Sequence, residues 1–150
     1  MPRTLRKPIT TAAEEELPTR LRLAIMRLAR RLRQQADADL TPSMLSALAN
    51  IEYRQPVTLG ELATAERVTP PTMSKIVARL QEAELVTRTP DDNDKRIQRL
   101  SLSTEGERFI ARTRSRKNAY LARKLRKLNS DEVAKLEAAV AVMEKILEDK

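Results

Sequence analysis

The sequence predicts a mostly α-helical protein that carries one small β-hairpin. Apolar residues recur every three or four positions along most of the chain, and prolines or capping residues precede these segments. Only residues 85–102 contain two short, partly alternating segments around a polar turn. With 150 residues, of which 41% are hydrophobic, the chain has the length of one domain and enough apolar side chains for a core.

The first helix is predicted over residues 17–36. Pro18 suits a first helical turn, where its missing N–H costs little. The apolar stripe consists of Leu21, Ala24, Ile25, Leu28 and Leu32. Residues 1–16 combine basic residues, proline and threonine with a short acidic run. We expect a flexible arm there, followed by a single domain over residues 17–150.

Two helices follow, each with a capping signal at its start. A Thr-Pro pair at residues 41–42 predicts a helix over 42–54, with Thr as the N-cap and Pro at the first helical position. The sequence Thr-Leu-Gly-Glu at residues 58–61 is typical of a capping box and predicts a short helix over 58–66.

The next helix, predicted over 69–84, is polar where it begins. Its apolar face consists of Met73, Ile76, Val77 and Leu80. The positions away from that face or on its flanks are Pro71, Thr72, Ser74, Lys75, Ala78 and Arg79. Together with the capping residue Thr69, the helix therefore presents short polar and cationic side chains from its N-terminal half.

Residues 85–102 are predicted to form the hairpin, whose tip is charged. The order of helix, short helix, helix and hairpin within residues 40–103 is that of a winged helix-turn-helix. The major groove of DNA, about 12 Å wide, admits one helix, which reads bases from its N-terminal end. The free N–H groups of that end also favour a nearby phosphate. This order therefore predicts a DNA-binding part.

Two long helices are predicted after the hairpin. Ser103 caps a basic helix over 104–127, and residues 129–132 form a second capping box. The last helix has an apolar seam of Val133, Leu136, Val140, Met143 and Leu147. Spacing of this kind is typical of a helix that packs on another helix. We therefore expect residues 17–36 and 104–148 to be dimerisation helices.

Composition excludes several classes of function. The chain has no Cys and no His, which excludes disulfides, thiolate catalysis, Ser-His-Asp triads and zinc fingers. With only Gly60 and Gly106, no glycine-rich phosphate loop can be formed. We therefore expect no enzyme activity, no metal and no cofactor. No segment has the length and apolarity of a membrane span, and the net charge of +8 favours polyanionic partners.

At this point the sequence resembles the MarR family of winged helix-turn-helix transcription regulators. The resemblance covers about residues 17–148 and is carried by the segments at 40–51 and 57–106. The most specific part is the wing and its exit, which matches the pattern D-x-x-D-x-R…L-x-L-[TS]-x-x-G. The matching residues are Asp91, Asp94, Lys95, Arg96, Leu100, Leu102, Ser103 and Gly106.

The resemblance implies a cytoplasmic repressor that acts as a two-fold homodimer on double-stranded DNA. It implies that the helix at 69–84 lies in the major groove, that the wing reaches the minor groove, and that Asp94 orients Arg96. It also implies a small anionic or phenolic ligand between the DNA-binding and dimerisation parts. This chain has no Cys and no His, so it departs from members that sense peroxide through Cys or zinc through His. It also has few aromatic residues, unlike members whose ligand pocket is lined with aromatic side chains.

The candidate DNA-binding residues fall into two groups. The first group lies on the helix at 69–84, the proposed recognition helix, and consists of Thr69, Pro71, Thr72, Ser74, Lys75 and Arg79. The second group lies on the hairpin at 85–102, the wing, and consists of Arg88, Asp94, Lys95 and Arg96. The basic residues of 112–127 are interpreted as solvated scaffold charges, although a second nucleic-acid surface is the alternative. Two other functions stay open. One is a sequence-tolerant architectural DNA-binding protein, and the other is a helical protein-interaction module without DNA binding.

Overall fold

The computed structural model describes residues 12–35 and 40–148. Six helices and three short strands follow one another along these residues. The helices are α1 (Ala12–Arg33), α2 (Pro42–Arg54), α3 (Leu59–Glu66), α4 (Pro70–Glu82), α5 (Thr104–Leu125) and α6 (Ser130–Glu148). The strands are β1 (Val57–Thr58), β2 (Val86–Pro90) and β3 (Gln98–Leu102). The predicted fold class, mostly helical with a small β-hairpin, is confirmed.

Helix α1 differs from its predicted bounds of 17–36. It begins at Ala12, so that Pro18 lies inside the helix instead of in its first turn, and it ends at Arg33. Alanine is the strongest helix former, and acidic residues are favourable near a helix N-terminus, which explains the earlier start. Residues 12–16, predicted as part of a flexible arm, are therefore helical. The remainder of that predicted arm, residues 1–11, lies outside the described residues.

The capping residues predicted for α2, α3 and α4 are confirmed. The hydroxyl oxygens of Thr41, Thr58 and Thr69 each accept a hydrogen bond from a backbone N–H in the first turn. At α3 a second bond completes the predicted capping box, because the Thr58 N–H donates to the Glu61 carboxylate at 2.8 Å. These bonds satisfy N–H groups that have no partner within the helix, and so they determine where each helix begins.

The sheet has a strand that the sequence pattern did not predict. β1 pairs with β3 through Val57 and Leu100, while β2 pairs with β3 on the other side, so the antiparallel order is β1-β3-β2. A strand of two residues is too short to show alternation, and only its pairing identifies it. Its position connects the predicted hairpin to the start of α3.

The core lies between α2, α3, α4, the sheet and the first turns of α5. Its fully buried large side chains are Leu48, Ile51, Leu62, Met73, Val77, Leu80 and Leu100. By contrast, no described side chain of α6 is buried, and Leu17, Met26, Val142, Ile146 and Leu147 are more than half exposed. The winged helix-turn-helix thus has its own core, whereas the terminal helices leave apolar faces in solvent.

The segment that leads from the wing into α5 packs closely on the end of α4. Leu100 and Leu102 enter the core, and Ser103 caps α5 by accepting the Gly106 N–H at 2.9 Å. The Ser103 N–H in turn donates to the Leu85 carbonyl oxygen at 3.0 Å. A Cβ at Gly106 would lie 2.1 Å from that same carbonyl oxygen. Glycine is therefore required here by a close approach between two backbone segments.

Candidate nucleic-acid interface

The turn between α3 and α4 joins the two helices of the predicted helix-turn-helix. Arg67 ends α3 in the left-handed conformation, with φ of 55°, and its N–H donates to the carbonyl oxygens of Ala63 and Thr64. Val68 N–H then donates to the Ala63 carbonyl at 3.0 Å. These bonds satisfy the last carbonyls of α3 and direct the chain into the Thr69 cap of α4.

Helix α4 presents the face that the sequence predicts. Met73, Val77 and Leu80 are buried against α2 and α3. Of the candidate residues, Ser74 is half-buried and the others are exposed, namely Thr69, Pro71, Thr72, Lys75 and Arg79. The exposed face is polar and cationic and has the character that a major-groove helix needs.

The first turn of α4 already uses part of its hydrogen-bonding capacity. The Thr69 and Thr72 hydroxyl oxygens lie 2.9 Å apart, within hydrogen-bond distance. The Thr69 hydroxyl also accepts the Thr72 N–H at 3.4 Å. Thr69 is therefore mainly a cap, and Thr72 is held in a fixed orientation beside it. Lys75, one turn further, is exposed and extends the cationic character of this end.

At the tip of the wing, Asp94 holds the guanidinium of Arg96 in a two-point contact. Arg96 Nε donates to Asp94 Oδ1 and Nη2 donates to Oδ2, both at 3.1 Å. The Arg96 backbone N–H donates to the same carboxylate at 3.0 Å. These bonds to Arg96 lower the pKa of Asp94. The Arg96 side chain is nevertheless 91% exposed, so it is oriented and accessible at the same time.

A second carboxylate organises the turn beneath the tip. Asp91 is buried, and its side chain accepts bonds from Arg99 Nε and from the backbone N–H groups of Asn93 and Asp94. The Arg99 bond and those two N–H bonds lower the pKa of Asp91 to about 2. Arg99 was not predicted as a site residue. The only sequence signal for it is a cation on the strand that follows the D-x-x-D-x-R pattern.

The two remaining wing candidates differ in their contacts. Lys95 is exposed at the tip beside Arg96. Arg88 is also exposed, but its Nε donates to Gln81 Oε1 of α4 at 2.9 Å, at the base of the wing. Arg88 thus connects β2 to α4, whereas Lys95 and Arg96 lie at the far end of the hairpin.

The Asp91–Arg99 ion pair makes the free energy of unfolding depend on pH under acidic conditions. The folded pKa of Asp91, about 2, lies below its ordinary value of 3.8, so this carboxylate stabilises the fold at pH above about 4. That contribution disappears as the pH falls from about 4 towards 2. We expect Asp91→Asn to reduce the pH dependence of the unfolding free energy in that window, measured by urea denaturation. An unchanged pH dependence in the variant would contradict this prediction.

A cavity of about 320 Å³ lies between α1, α2 and α5. Leu32, Leu45 and Phe109 are among its apolar lining residues. At its edge, Arg114 Nη2 donates to the Glu52 carboxylate at 3.0 Å, which links α5 to α2. The Thr113 hydroxyl, also in the lining, is buried and has no hydrogen-bond partner among the residues that the structure describes. The cavity thus combines apolar walls with a few polar groups.

Two other kinds of site, a metal centre and a membrane span, are absent from the described residues. Residues 12–35 and 40–148 contain no group of three or more acidic, His or Cys side chains placed to hold a metal ion. Within the same ranges, no helix is long and apolar enough to cross a membrane.

Comparison with known proteins agrees with the winged helix-turn-helix geometry. A sequence model described as the MarR family matches residues 40–98. The chain is 36% identical over 120 residues to an uncharacterised HTH-type transcriptional regulator of Mycobacterium leprae, covering 79% of this chain and 84% of that protein. It is 28% identical over 102 residues to the HTH-type transcriptional repressor MdtR of Bacillus subtilis, covering 68% of this chain and 66% of that protein.

Solved structures share the fold. A crystal structure from Pseudomonas aeruginosa, described as a transcriptional regulator, superposes with a TM-score of 0.84 at 31% identity, covering 93% of this chain and 99% of that one. A point mutant of Staphylococcus aureus MepR bound to an oligodeoxyribonucleotide superposes with a TM-score of 0.68 at 20% identity, covering 88% of this chain and 98% of that one. The relatives are transcriptional regulators and not enzymes. This chain belongs to the MarR family of DNA-binding, helix-turn-helix transcriptional regulators.

Proposed function

We propose that the protein is a sequence-specific repressor that binds a pseudo-palindromic DNA operator as a homodimer. The observation that carries this proposal is the wing tip, where Asp94 holds an almost fully exposed Arg96 guanidinium at the end of a hairpin. The exposed polar start of α4 lies on the same winged helix-turn-helix. A relative of this chain, MdtR, is a transcriptional repressor, which supports repression over activation.

The candidate residues have different roles in this proposal. Thr72, Ser74 and Lys75 read base edges in the major groove, with Arg79 on the phosphate backbone beside them. Arg96 enters the minor groove, where the negative potential is strongest if the groove is narrow. Lys95 and Arg88 contact phosphates. Thr69 and Pro71 act indirectly, because they fix where α4 begins.

Selection of DNA from a random-sequence library by the purified protein tests this function. A sequence-specific regulator enriches one motif with two related half-sites about one helical turn apart. Its affinity for that duplex exceeds its affinity for random DNA by on the order of 10³ or more. A reporter gene placed behind the selected motif should be repressed by the protein. Tight binding without any enriched motif would instead support a sequence-tolerant architectural protein.

The homodimer is proposed from the exposed apolar faces of α1 and α6. Leu147 is 82% exposed and Met26 is 57% exposed, and they are two of several apolar side chains that these helices leave in solvent. A second copy can cover both faces with one two-fold interface.

Light scattering at micromolar concentration should therefore report about 34 kDa, twice the chain mass of 17.0 kDa. Replacing Val140 and Leu147 together by Asp places charges on the exposed seam of α6 and should shift the mass towards that of one chain. The matched control, Lys135→Asp, changes a charge on the same helix outside the apolar seam and should leave the dimer intact. A wild-type protein that is monomeric at this concentration would contradict the dimer and the two half-sites.

A small anionic or phenolic ligand is proposed for the cavity between α1, α2 and α5. Its volume fits a compact molecule, its walls are largely apolar, and Arg114 and Lys117 lie in its lining as cations. The unpartnered Thr113 hydroxyl offers one more hydrogen bond.

Hydroxybenzoate is a suitable probe, because it combines a small ring, a phenol and a carboxylate. We expect it to raise the melting temperature and to weaken binding to the selected duplex. Thr113→Val removes the hydroxyl at nearly constant volume and should reduce both effects. If hydroxybenzoate changes neither property in the wild type, the ligand proposal fails and the DNA-binding proposal is unaffected.

A further inference from the structure

We propose that Asp91 and Arg99 are positioning residues that set the orientation of the wing tip relative to the helix-turn-helix, and thereby the placement of Arg96 in the minor groove. The inference rests on the proposed role of Arg96. Neither residue touches DNA in this proposal. Each acts through the wing turn that carries the Asp94–Arg96 pair.

The Asp91 carboxylate organises the turn from below. Its side chain is only 10% exposed, although it is charged and lies in a polar hairpin tip. Oδ1 accepts the backbone N–H groups of Asn93 at 2.9 Å and Asp94 at 3.1 Å, and Oδ2 accepts Arg99 Nε. One carboxylate thus holds two residues of the turn and one side chain of the adjacent strand. A charge with so little solvent exposure is retained because these donors compensate it.

The main chain closes the same turn from the other side. Asp91 N–H donates to the Ile97 carbonyl at 2.8 Å, and Ile97 N–H donates to the Asp94 carbonyl at 2.9 Å. The backbone of Asp94 is therefore held at both its N–H and its carbonyl. Its carboxylate remains available for the two-point contact with Arg96. The position of the Arg96 guanidinium consequently depends on the bonds made to Asp91.

Arg99 connects this turn to the rest of the DNA-binding part. It lies on the central strand β3, where its Cα partners are Thr58 of β1 and Thr89 of β2. Thr58 is also the N-cap of α3. The Asp91 carboxylate raises the pKa of Arg99, and the Glu61 carboxylate of α3 adds a smaller contribution in the same direction. Through the Arg99–Asp91 ion pair, the turn at the tip of the wing is therefore connected to β3, next to the residue that caps α3.

Arg96 at the tip and Arg99 on β3 differ in exposure, and the difference matches their two roles, contact with DNA and support of the turn. The Arg96 side chain is 91% exposed and can reach a partner outside the protein. The Arg99 side chain is 34% exposed and its Nε is bonded to Asp91. Arg96 is placed to contact DNA, and Arg99 is placed to hold the strand from which the tip projects.

The test measures binding of the full chain to the duplex that the wild-type protein selects, by fluorescence anisotropy. We expect Asp91→Ala and Arg99→Gln each to weaken binding about tenfold, as for loss of a well-placed groove contact. Asp91→Asn keeps an oxygen for the two backbone N–H groups and should lose less. In an Arg96→Ala background, Asp91→Ala should weaken binding by less than about twofold, because both changes act through one contact.

An exposed carboxylate outside the wing provides the control. Glu107→Ala on α5 should bind like the wild type, and circular dichroism at the assay temperature should show each variant folded. Equal losses from Asp91→Ala in the wild-type and Arg96→Ala backgrounds would overturn the inference, since the effect would not pass through Arg96. Wild-type affinity in both Asp91→Ala and Arg99→Gln would overturn it as well. If the wild-type protein selects no duplex, the proposed function has failed instead.

Discussion

Replacing Gly106 by alanine should destabilise the fold by about 3 kcal/mol or more, at the upper end of the cost of overpacking a close contact. The added Cβ would lie 2.1 Å from the Leu85 carbonyl oxygen, which is backbone and cannot turn aside like a flexible side chain. Moving that carbonyl would also strain the 3.0 Å bond that it accepts from Ser103 N–H. Urea denaturation and a melting temperature lower by roughly 5 °C or more would measure the loss.

Gly60 supplies the matched control for this substitution. It lies in the first turn of α3, and a Cβ built there meets nothing within 4 Å. Gly60→Ala should leave stability unchanged or raise it by up to about 1 kcal/mol, because alanine loses less backbone entropy in a helix. If the two alanine variants had equal stability, the close approach between α5 and the end of α4 would not be the reason for glycine at position 106.

Removing the Arg96 guanidinium should weaken binding to the selected operator by roughly five- to a hundredfold. The Asp94 carboxylate holds this guanidinium at 3.1 Å through both Nε and Nη2, so little side-chain entropy remains to be lost when it enters a groove. Arg96→Ala should also lower the slope of affinity against salt concentration, since one cation no longer displaces counterions. Titrations at several salt concentrations measure both effects.

Asp94 provides the internal check on that prediction. Asp94→Ala should also weaken operator binding, by less than Arg96→Ala does. The fold-reduction in affinity of the double variant should be smaller than the product of the two single fold-reductions, because both residues act through one contact. Arg123→Ala, an exposed charge on α5, is the control and should have a small, salt-sensitive effect. If Arg96→Ala bound like the wild type while Arg123→Ala abolished binding, the basic scaffold helix would be the DNA surface.

Much of the DNA-binding part was predictable because its signals are local. A Thr before a Pro caps a helix wherever it occurs, and the predicted bounds of α2, 42–54, agree with the structure. The bidentate Asp94–Arg96 pair was expected from the resemblance to the family, and it is also local, since the two residues are only two positions apart. The start of α1 was misplaced because Pro18 is a local signal for a helix start, while the helix formers before it extend the helix to Ala12.

The sequence by itself determined the order of the helices, the caps of α2, α3 and α4, the hairpin and the polar face of α4, because each depends on residues within a few positions of one another. Only the tertiary structure decided the pairing of β1 with β3, the Arg99–Asp91 ion pair beneath the wing tip, and the Glu52–Arg114 link between α2 and α5. The last of these joins residues 62 positions apart. Such contacts form only when the packing of the core brings distant segments together, and no local pattern encodes which side chains will then meet.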